Sequence, residues 1–488
     1  MDPQEWTGHW WLPGVLDQTV PGVLRFGAKD GLTLSLIGGF ESRVLHRHGS
    51  GMVERIDESR TWPIIQGVAG NTEITLLDCT PAFSVSYNFG PVDEQRIEPG
   101  RALVGVRLND AEDAVFTGVE VTVENLTLWS AGSVFTVSLG MRDEDTLNGT
   151  GKLAATPVDA LKATVGDLGA ALKHRHTLPH FDDRRNGTVG RMTDTAVLRF
   201  DSPDRMPLGL YMGYVKGTHD LISLATHSAC GLISQTLILP PEDDNPADRR
   251  PALEQRVEYY AKQIVAADPE AETTKPHEVL FTLHNFDFGD LLPRWFETRT
   301  RFEATCNMLI SLWEVPGGYV EPQVVTAVAA AEAMHRALEL PSPIPDAQFK
   351  SLKKSLVAAV PEERKQWVAG LLARNEPTLK QRLVDLASRP DSEAMKALLP
   401  DPETWAVAAG EARNGIAHTG QTARHSINQA HAIAKVTSAV VVLNLLHEIG
   451  LPSERLREVV HDNPDLRHAS QLAKKHLTAR GQDGGDEH

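Results

Sequence analysis

Asp401-Pro402-Glu403-Thr404-Trp405, followed downstream by Arg413-Asn414-Gly415-Ile416-Ala417-His418, is the stretch on which the reading of this chain turns. Asp401 is suited to cap a helix and Pro402 to occupy its first position, so a helix is expected to run through Trp405, Val407 and Ala408 to Arg413. Its far end combines a permanent cation, a small amide and a titratable imidazole. That trio suits phosphodiester cleavage: histidine moves the proton of an attacking or leaving oxygen, and arginine holds the charge that gathers on phosphorus. On an unbroken helix Arg413 and His418 would stand about 140° apart. Gly415 is therefore expected to end or deform the helix and swing His418 back towards Arg413.

Working outward, the whole C-terminal half reads as helical. From Gly289 the apolar residues Leu291, Leu292, Trp295, Phe296, Phe302, Leu309 and Leu312 recur at three and four, which predicts one long helix ending at Pro316-Gly317-Gly318. A second begins with Pro322 in its first turn and carries Val325, Val328, Ala331, Met334 and Leu338. Further helices are expected over 346–360, 362–375, 379–388 and 422–449, an all-α bundle with antiparallel neighbours. The longest apolar run, about 436–446, falls short of the roughly 20 residues of a membrane span and contains Asn444, so it reads as a buried helix.

The N-terminal half has the other period. Val119, Val121 and Val123 alternate with Glu120, Thr122 and Glu124, which predicts a strand with one wet face. Strands are also expected at 32–37, 72–77, 102–108, 134–139, 196–200, 232–239, 257–265 and 279–286, with a helix over 208–227. The result is an α+β multidomain chain: an antiparallel β-sandwich or barrel-like domain over 1–288, a connecting helix and loop over 289–319, a helical bundle over 320–480 and a disordered tail over 481–488. Residues 240–251 read as a charged surface loop. Trp6, Trp10, Trp11 and Trp129 could line a sugar or nucleobase pocket, but large aromatics more often fill a core. His174, His176 and His180, with Asp182 or Asp183, have the makings of a metal site on a loop; a solvated histidine-rich loop is the plainer reading, and no metal is assigned.

Composition narrows the function. With 488 residues, 41% hydrophobic and 23% charged, the chain is an ordinary soluble globular protein of several domains. Cys79, Cys230 and Cys306 lie far apart, which argues against a disulfide framework or thiolate zinc site and for a reducing compartment. The N-terminus has no export signal, so a cytoplasmic location is expected, with no membrane partner. A net charge of −17 argues against a general nucleic-acid coat. Between Thr404 and Arg480, however, nine Lys and Arg stand against six Asp and Glu, together with seven histidines. Contact with a polyanion is therefore expected locally, at the C-terminal end.

Arg413-Asn414-Gly415-Ile416-Ala417-His418 matches the Arg-x(4–6)-His signature of HEPN ribonucleases. The helices around Ala327–Leu338 and Lys380-Gln381-Arg382-Leu383 resemble the HEPN domain of ApeA-like antiphage proteins. Trp10-Trp11-Leu12-Pro13-Gly14, Leu34-Ser35-Leu36-Ile37-Gly38 and Leu128-Trp129 resemble the β-rich domain that accompanies it. The resemblance implies a metal-independent endoribonuclease of abortive infection, needing no cofactor, acting on RNA such as tRNA rather than DNA. It also implies a homodimer or higher homo-oligomer with a composite site. On that reading His418 is the general acid or base, Arg413 stabilises the phosphorane and Asn414 orients the phosphate or His418. Glu332 is placed to hold Arg413, and Arg424, His425 and Lys435 are candidate RNA contacts. The β-domain is expected to sense a phage component and restrain the nuclease.

Other readings compete. Arg413 could simply be salt-bridged to Glu332 or Glu411, and the protein could be a non-catalytic, HEPN-mediated dimeric scaffold whose β-domain binds a phage-derived or carbohydrate ligand. A carbohydrate-active enzyme would need paired carboxylates, for which Asp143, Glu144 and Asp145 are the available group. Gly151-Lys152 fails as a P-loop, with Thr146 and Leu153 at two required positions.

Overall fold

A computed structural model describes residues 2–40, 43–48, 51–56, 61–85, 93–142, 146–241, 254–268, 270–272, 274–315, 317–421 and 424–479. Most of the 240–251 loop, the Asp143–Asp145 carboxylates, Pro316, Thr422 and the 481–488 tail lie outside the described residues. The fold divides into two compact units, Met1–Thr273 with Thr282–Pro293, and Thr274–Phe281 with Arg294–His488.

The first unit is built around a closed, six-stranded antiparallel barrel. The long strand Thr72–Val85 pairs with Trp62–Ala69, followed in order around the barrel by Gln4–Trp11, Val20–Gly27, Gly31–Ile37 and Glu94–Glu98, which returns to Thr72–Val85. Alternation over 32–37 and 72–77 works as the sequence reading expects, with Leu32, Leu34, Leu36, Ile74 and Leu76 in the core; Leu24, Phe26, Ile65 and Ile97 join them from the strands Val20–Gly27, Trp62–Ala69 and Glu94–Glu98, which that reading did not foresee. Trp10 is fully buried among them, and its ring lies over Gly67, where a Cβ would come within 2.3 Å. Trp11 donates to the Gln66 Oε1 (2.9 Å), and Trp129 is also fully buried, so these tryptophans fill cores rather than line a pocket.

The sheet forks at Pro99-Gly100. Before the fork Glu94–Glu98 closes the barrel; beyond it Arg101–Val104 follows the same edge of Thr72–Val85 and leads into Gln255–Ala261, Leu232–Leu239, Phe116–Val123, Asp194–Met206, Leu168–His176 and Leu161–Val165. The helix Leu208–Thr226 packs on the Phe116–Val123 and Asp194–Met206 strands, and Gln235 of the neighbouring strand Leu232–Leu239 donates to its Met212 sulfur.

Several expectations need correcting here. Glu120 and Thr122 are not on a wet face: both are buried, because three arginines cover Glu120 from neighbouring strands. Arg175 and Arg199 donate to its carboxylate at 2.6 and 3.5 Å, and Arg256 also donates to it. The histidine segment is no loop: His174 and His176 lie on the strand Leu168–His176 and His180 on His180–Arg184, and the histidines do not converge. His174 is buried against Asp194 (3.0 Å), and no metal-holding group of three or more His, Cys, Asp or Glu occurs among the described residues. Residues 279–286 form no strand. Val279, Leu280 and Phe281 are buried in succession within the second unit, and the Val279 and Leu280 carbonyls accept from Arg455 instead of a ladder. The three cysteines are buried and form no disulfide, and burial pushes the Cys79 thiol up to about 12.

Among the described residues, the regular elements of the second unit are all helical. The predicted helix over 289–312 is two, Phe288–Arg301 and Glu303–Glu314, broken at Phe302, whose ring is buried. Val320–Ala337, Asp346–Ala358, Glu362–Leu371 and Leu379–Ser388 match expectation; the helices Ser392–Leu398, Ser453–Asp462 and Pro464–His476 escaped it. At the centre lies Ile427–Glu448, a core helix that starts later than 422 because Ser426 forms a capping box with Gln429. It is long and apolar enough to cross a membrane, but 78% of its most apolar window is buried inside the unit. Asn444 sits in that core at no cost in unpaired groups: its amide donates to the Leu386 and Val440 carbonyls, and its oxygen accepts from Arg389.

Candidate active site

The motif helix spans Pro402–Thr419. Asp401 caps it, accepting from the Thr404 backbone N–H (3.0 Å) and hydroxyl (2.7 Å). Trp405, Ala406, Ala408, Ala409 and Ala412 are buried, and the Trp405 indole donates to the Thr437 hydroxyl on the core helix (3.1 Å). Two turns of buried small residues thus press the helix onto the bundle, and from Asn414 on its surface opens to solvent.

The expected break at Gly415 does not occur. The helix continues to Thr419 and ends at Gly420, whose φ of 73° and N–H bond to the Ile416 carbonyl (2.8 Å) form a left-handed C-cap. Gly415 has a different task. After the cap the chain folds back over it, so a Cβ there would meet the Gln421 carbonyl oxygen at 3.2 Å, while the Thr419 hydroxyl donates to the Gly415 and Gln421 carbonyls. A close backbone approach that the glycine eases, not a helix break, is its role here.

Arg413 and His418 therefore remain about 140° apart around the axis. What links them is Asn414. Its Oδ1 accepts from the Arg413 guanidinium (3.1 Å), and it lies four residues before His418, on the same face one turn away. Asn414 and His418 are both exposed, whereas the Arg413 side chain is about two-fifths exposed. Glu332 faces Arg413 at 3.8 Å, a long contact, and its other oxygen accepts from Arg336 at 3.0 Å. Arg336 in turn reaches Glu376 (3.7 Å), which Arg382 also grips (2.7 Å). Glu411 pairs with Arg424 (3.5 Å), not with Arg413.

The remaining candidates scatter. Arg424 and His425 precede the core helix instead of riding on it; Arg424 is exposed, and His425 is held below its usual value by burial and by Arg424, against the pull of Glu411. Lys435 is exposed on the core helix. Sequence reasoning missed Arg336, Glu376 and the contact of a buried His335, through its Nε2, with the partly exposed Asp385 (3.0 Å). The signal was present: Glu332, His335 and Arg336 interrupt the apolar run that begins at Ala327.

Residues 5–295 match the family ApeA N-terminal domain 1, and residues 325–455 match Apea-like HEPN. The chain belongs to the ApeA-like HEPN family. Arg413, Asn414, His418 and Glu332 all fall inside the HEPN match, and the barrel falls inside the other. The family implies a nuclease role in antiphage defence; HEPN domains are generally ribonucleases and typically act on RNA as dimers. Neither the curated proteins nor the solved structures include a match to the chain.

Proposed function

We propose that this protein is an endoribonuclease of abortive infection that cuts cellular RNA, tRNA among the candidates, through Arg413, Asn414 and His418. The observation that carries the proposal is the exposed His418 one turn beyond an Asn414–Arg413 hydrogen bond, within a HEPN match. His418 acts as general base or acid: an imidazole takes the proton of a ribose 2′-hydroxyl, the freed oxygen attacks phosphorus as the bond to the 5′-oxygen breaks, and the 5′-oxygen leaves as a hydroxyl with a proton given by the protonated His418 of that motif or its twin. Arg413 offsets the charge on the phosphorane, and Glu332 keeps the guanidinium in place. The products are a 2′,3′-cyclic phosphate and a 5′-hydroxyl end. This chemistry needs neither a metal ion nor a cofactor.

Because the motif helix runs unbroken, the proposed site takes its convergence from a second copy, each motif facing its twin in a homodimer or higher homo-oligomer. The β-rich unit is assigned the sensing of a phage-derived trigger in the cytoplasm. The rival scaffold reading expects the motif residues pinned in interior ion pairs; His418 is exposed and has no ion pair among the described residues. The test is to map RNA ends in cells making the parent, Arg413→Ala and His418→Ala. New cuts bearing cyclic phosphates, present with the parent and absent with both variants, support the proposal; cutting by His418→Ala at the parental rate rejects it.

A further inference from the structure

Between Val320–Ala337 and Leu379–Ser388 the chain makes a hairpin of two helices, Asp346–Ala358 and Glu362–Leu371, which pack chiefly on each other. Neither helix has a buried residue. Helices this short are marginal in water without burial, so the hairpin has the character of a surface completed by a partner. Phe349, Val357, Val368 and Leu372 are half-buried apolar residues of the hairpin. On the outer face of the second helix Arg364, Trp367 and Leu371 follow one another at three and four, with Arg374 just past its end. Trp367 is 66% exposed.

The charge of the hairpin runs against that of the chain. Residues 346–374 carry six Lys and Arg against three Asp and Glu, +3 within a protein of −17. Lys365 is paired with Glu362 (2.6 Å), but Lys350, Lys353, Lys354, Arg364 and Arg374 have no ion pair among the described residues. The hairpin also leaves the bundle beside the motif, since Glu376 at its base connects through Arg336 and Glu332 to Arg413.

We infer that this hairpin is an RNA-gripping arm: one base of a single-stranded segment stacks on Trp367, and the flanking phosphates lie against Arg364, Arg374 and the lysines of the first helix. The choice of RNA as the polyanion rests on the nuclease reading above. A second copy of the hairpin fits this surface less well, because two cationic faces would meet. Leu352 and Leu356, exposed on the first helix, are what such a protein contact would use.

The test uses the full-length chain carrying His418→Ala, so that RNA stays intact, and a labelled single-stranded RNA of mixed sequence, about 20 nucleotides long. Trp367→Ala is expected to weaken binding by about 5- to 100-fold, the loss of one stacked base. Arg364→Ala with Arg374→Ala should lower the slope of log affinity against log salt by roughly 1.4. Both sets of changes, in the otherwise unaltered chain, should raise KM for RNA and leave kcat unchanged. The inference is overturned if the His418→Ala protein does not bind this RNA, if the arm variants bind it like their parent, or if Trp367→Ala turns a dimer into monomers at unchanged RNA affinity, which would assign the face to a second copy. RNA binding through the arm by a parent that cuts nothing would sink the nuclease reading and leave the arm standing.

Discussion

Both units place arginines around a carboxylate, and they do so in opposite ways. In the β-rich unit Glu120 is 3% exposed beneath Arg175, Arg199 and Arg256, and the Arg199 guanidinium is further held by Asp201 and Glu254. In the helical unit Arg413 meets Glu332 only at 3.8 Å, Glu332 is shared with Arg336, and the guanidinium remains partly open to solvent. A carboxylate that is dehydrated and fully paired serves the fold, because its charge is already spent on its neighbours. A guanidinium loosely steadied at the surface keeps hydrogen-bond donors for an arriving phosphate. Burial and pairing thus separate the two roles where residue type does not.

The comparison is broken most sharply at the motif. His418→Ala and Arg413→Ala should each lower RNA cutting by about 10² to 10⁴ with the melting temperature of the helical unit unmoved, since both residues are at the surface. A melting temperature that falls with activity would put them on the Glu120 side of the contrast.

Glu120→Gln should do the reverse, destabilising the β-rich unit by about 3 to 5 kcal/mol as three guanidiniums lose their common anion. Thermal or urea unfolding followed on that unit reads this directly. Acidity sharpens the point. Burial pushes the Glu120 carboxyl up, but the hydrogen bonds from Arg256 and Arg175 outweigh it and hold the group below its ordinary value of 4.5. A lowered folded-state value means that the contribution is complete above 4.5 and is lost as pH falls through the lower, folded value. The stability gap between parent and Glu120→Gln should therefore narrow in acid below that range; a gap that widens there would contradict the assignment.

The smallest effect belongs to Glu332→Gln. A long, shared and partly exposed contact is worth about 0.2 to 1 kcal/mol, so cutting should fall by roughly 1.5- to 5-fold. A loss as large as that of Arg413→Ala would make Glu332 part of the chemistry itself, which single-turnover rates would reveal.

How far the sequence could be read follows the same physics. The helices, the Asp401–Pro402 start and the motif were legible because capping, proline position and a 3.6-residue period are local signals. The alternation of Leu32, Leu34 and Leu36 likewise disclosed a barrel strand, although the closure of Glu94–Glu98 onto two strands depends on pairings no local pattern encodes. Glu120 was misread as wet because its partners come from three other strands, Leu168–His176, Asp194–Met206 and Gln255–Ala261. Gly415 was misread because a glycine that eases a close backbone approach and one that breaks a helix look alike in one dimension. The link from Arg413 through Glu332 and Arg336 to Glu376 escaped for the same reason, since it joins the motif helix to residues far upstream.

The most direct measurement incubates purified full-length protein with end-labelled tRNA in the presence of a metal chelator and identifies the new termini, parent beside His418→Ala. The account predicts that the parent leaves 2′,3′-cyclic phosphate and 5′-hydroxyl ends and that His418→Ala leaves the RNA intact. Cleavage abolished by the chelator, or ends bearing a 3′-hydroxyl and 5′-phosphate, would contradict it.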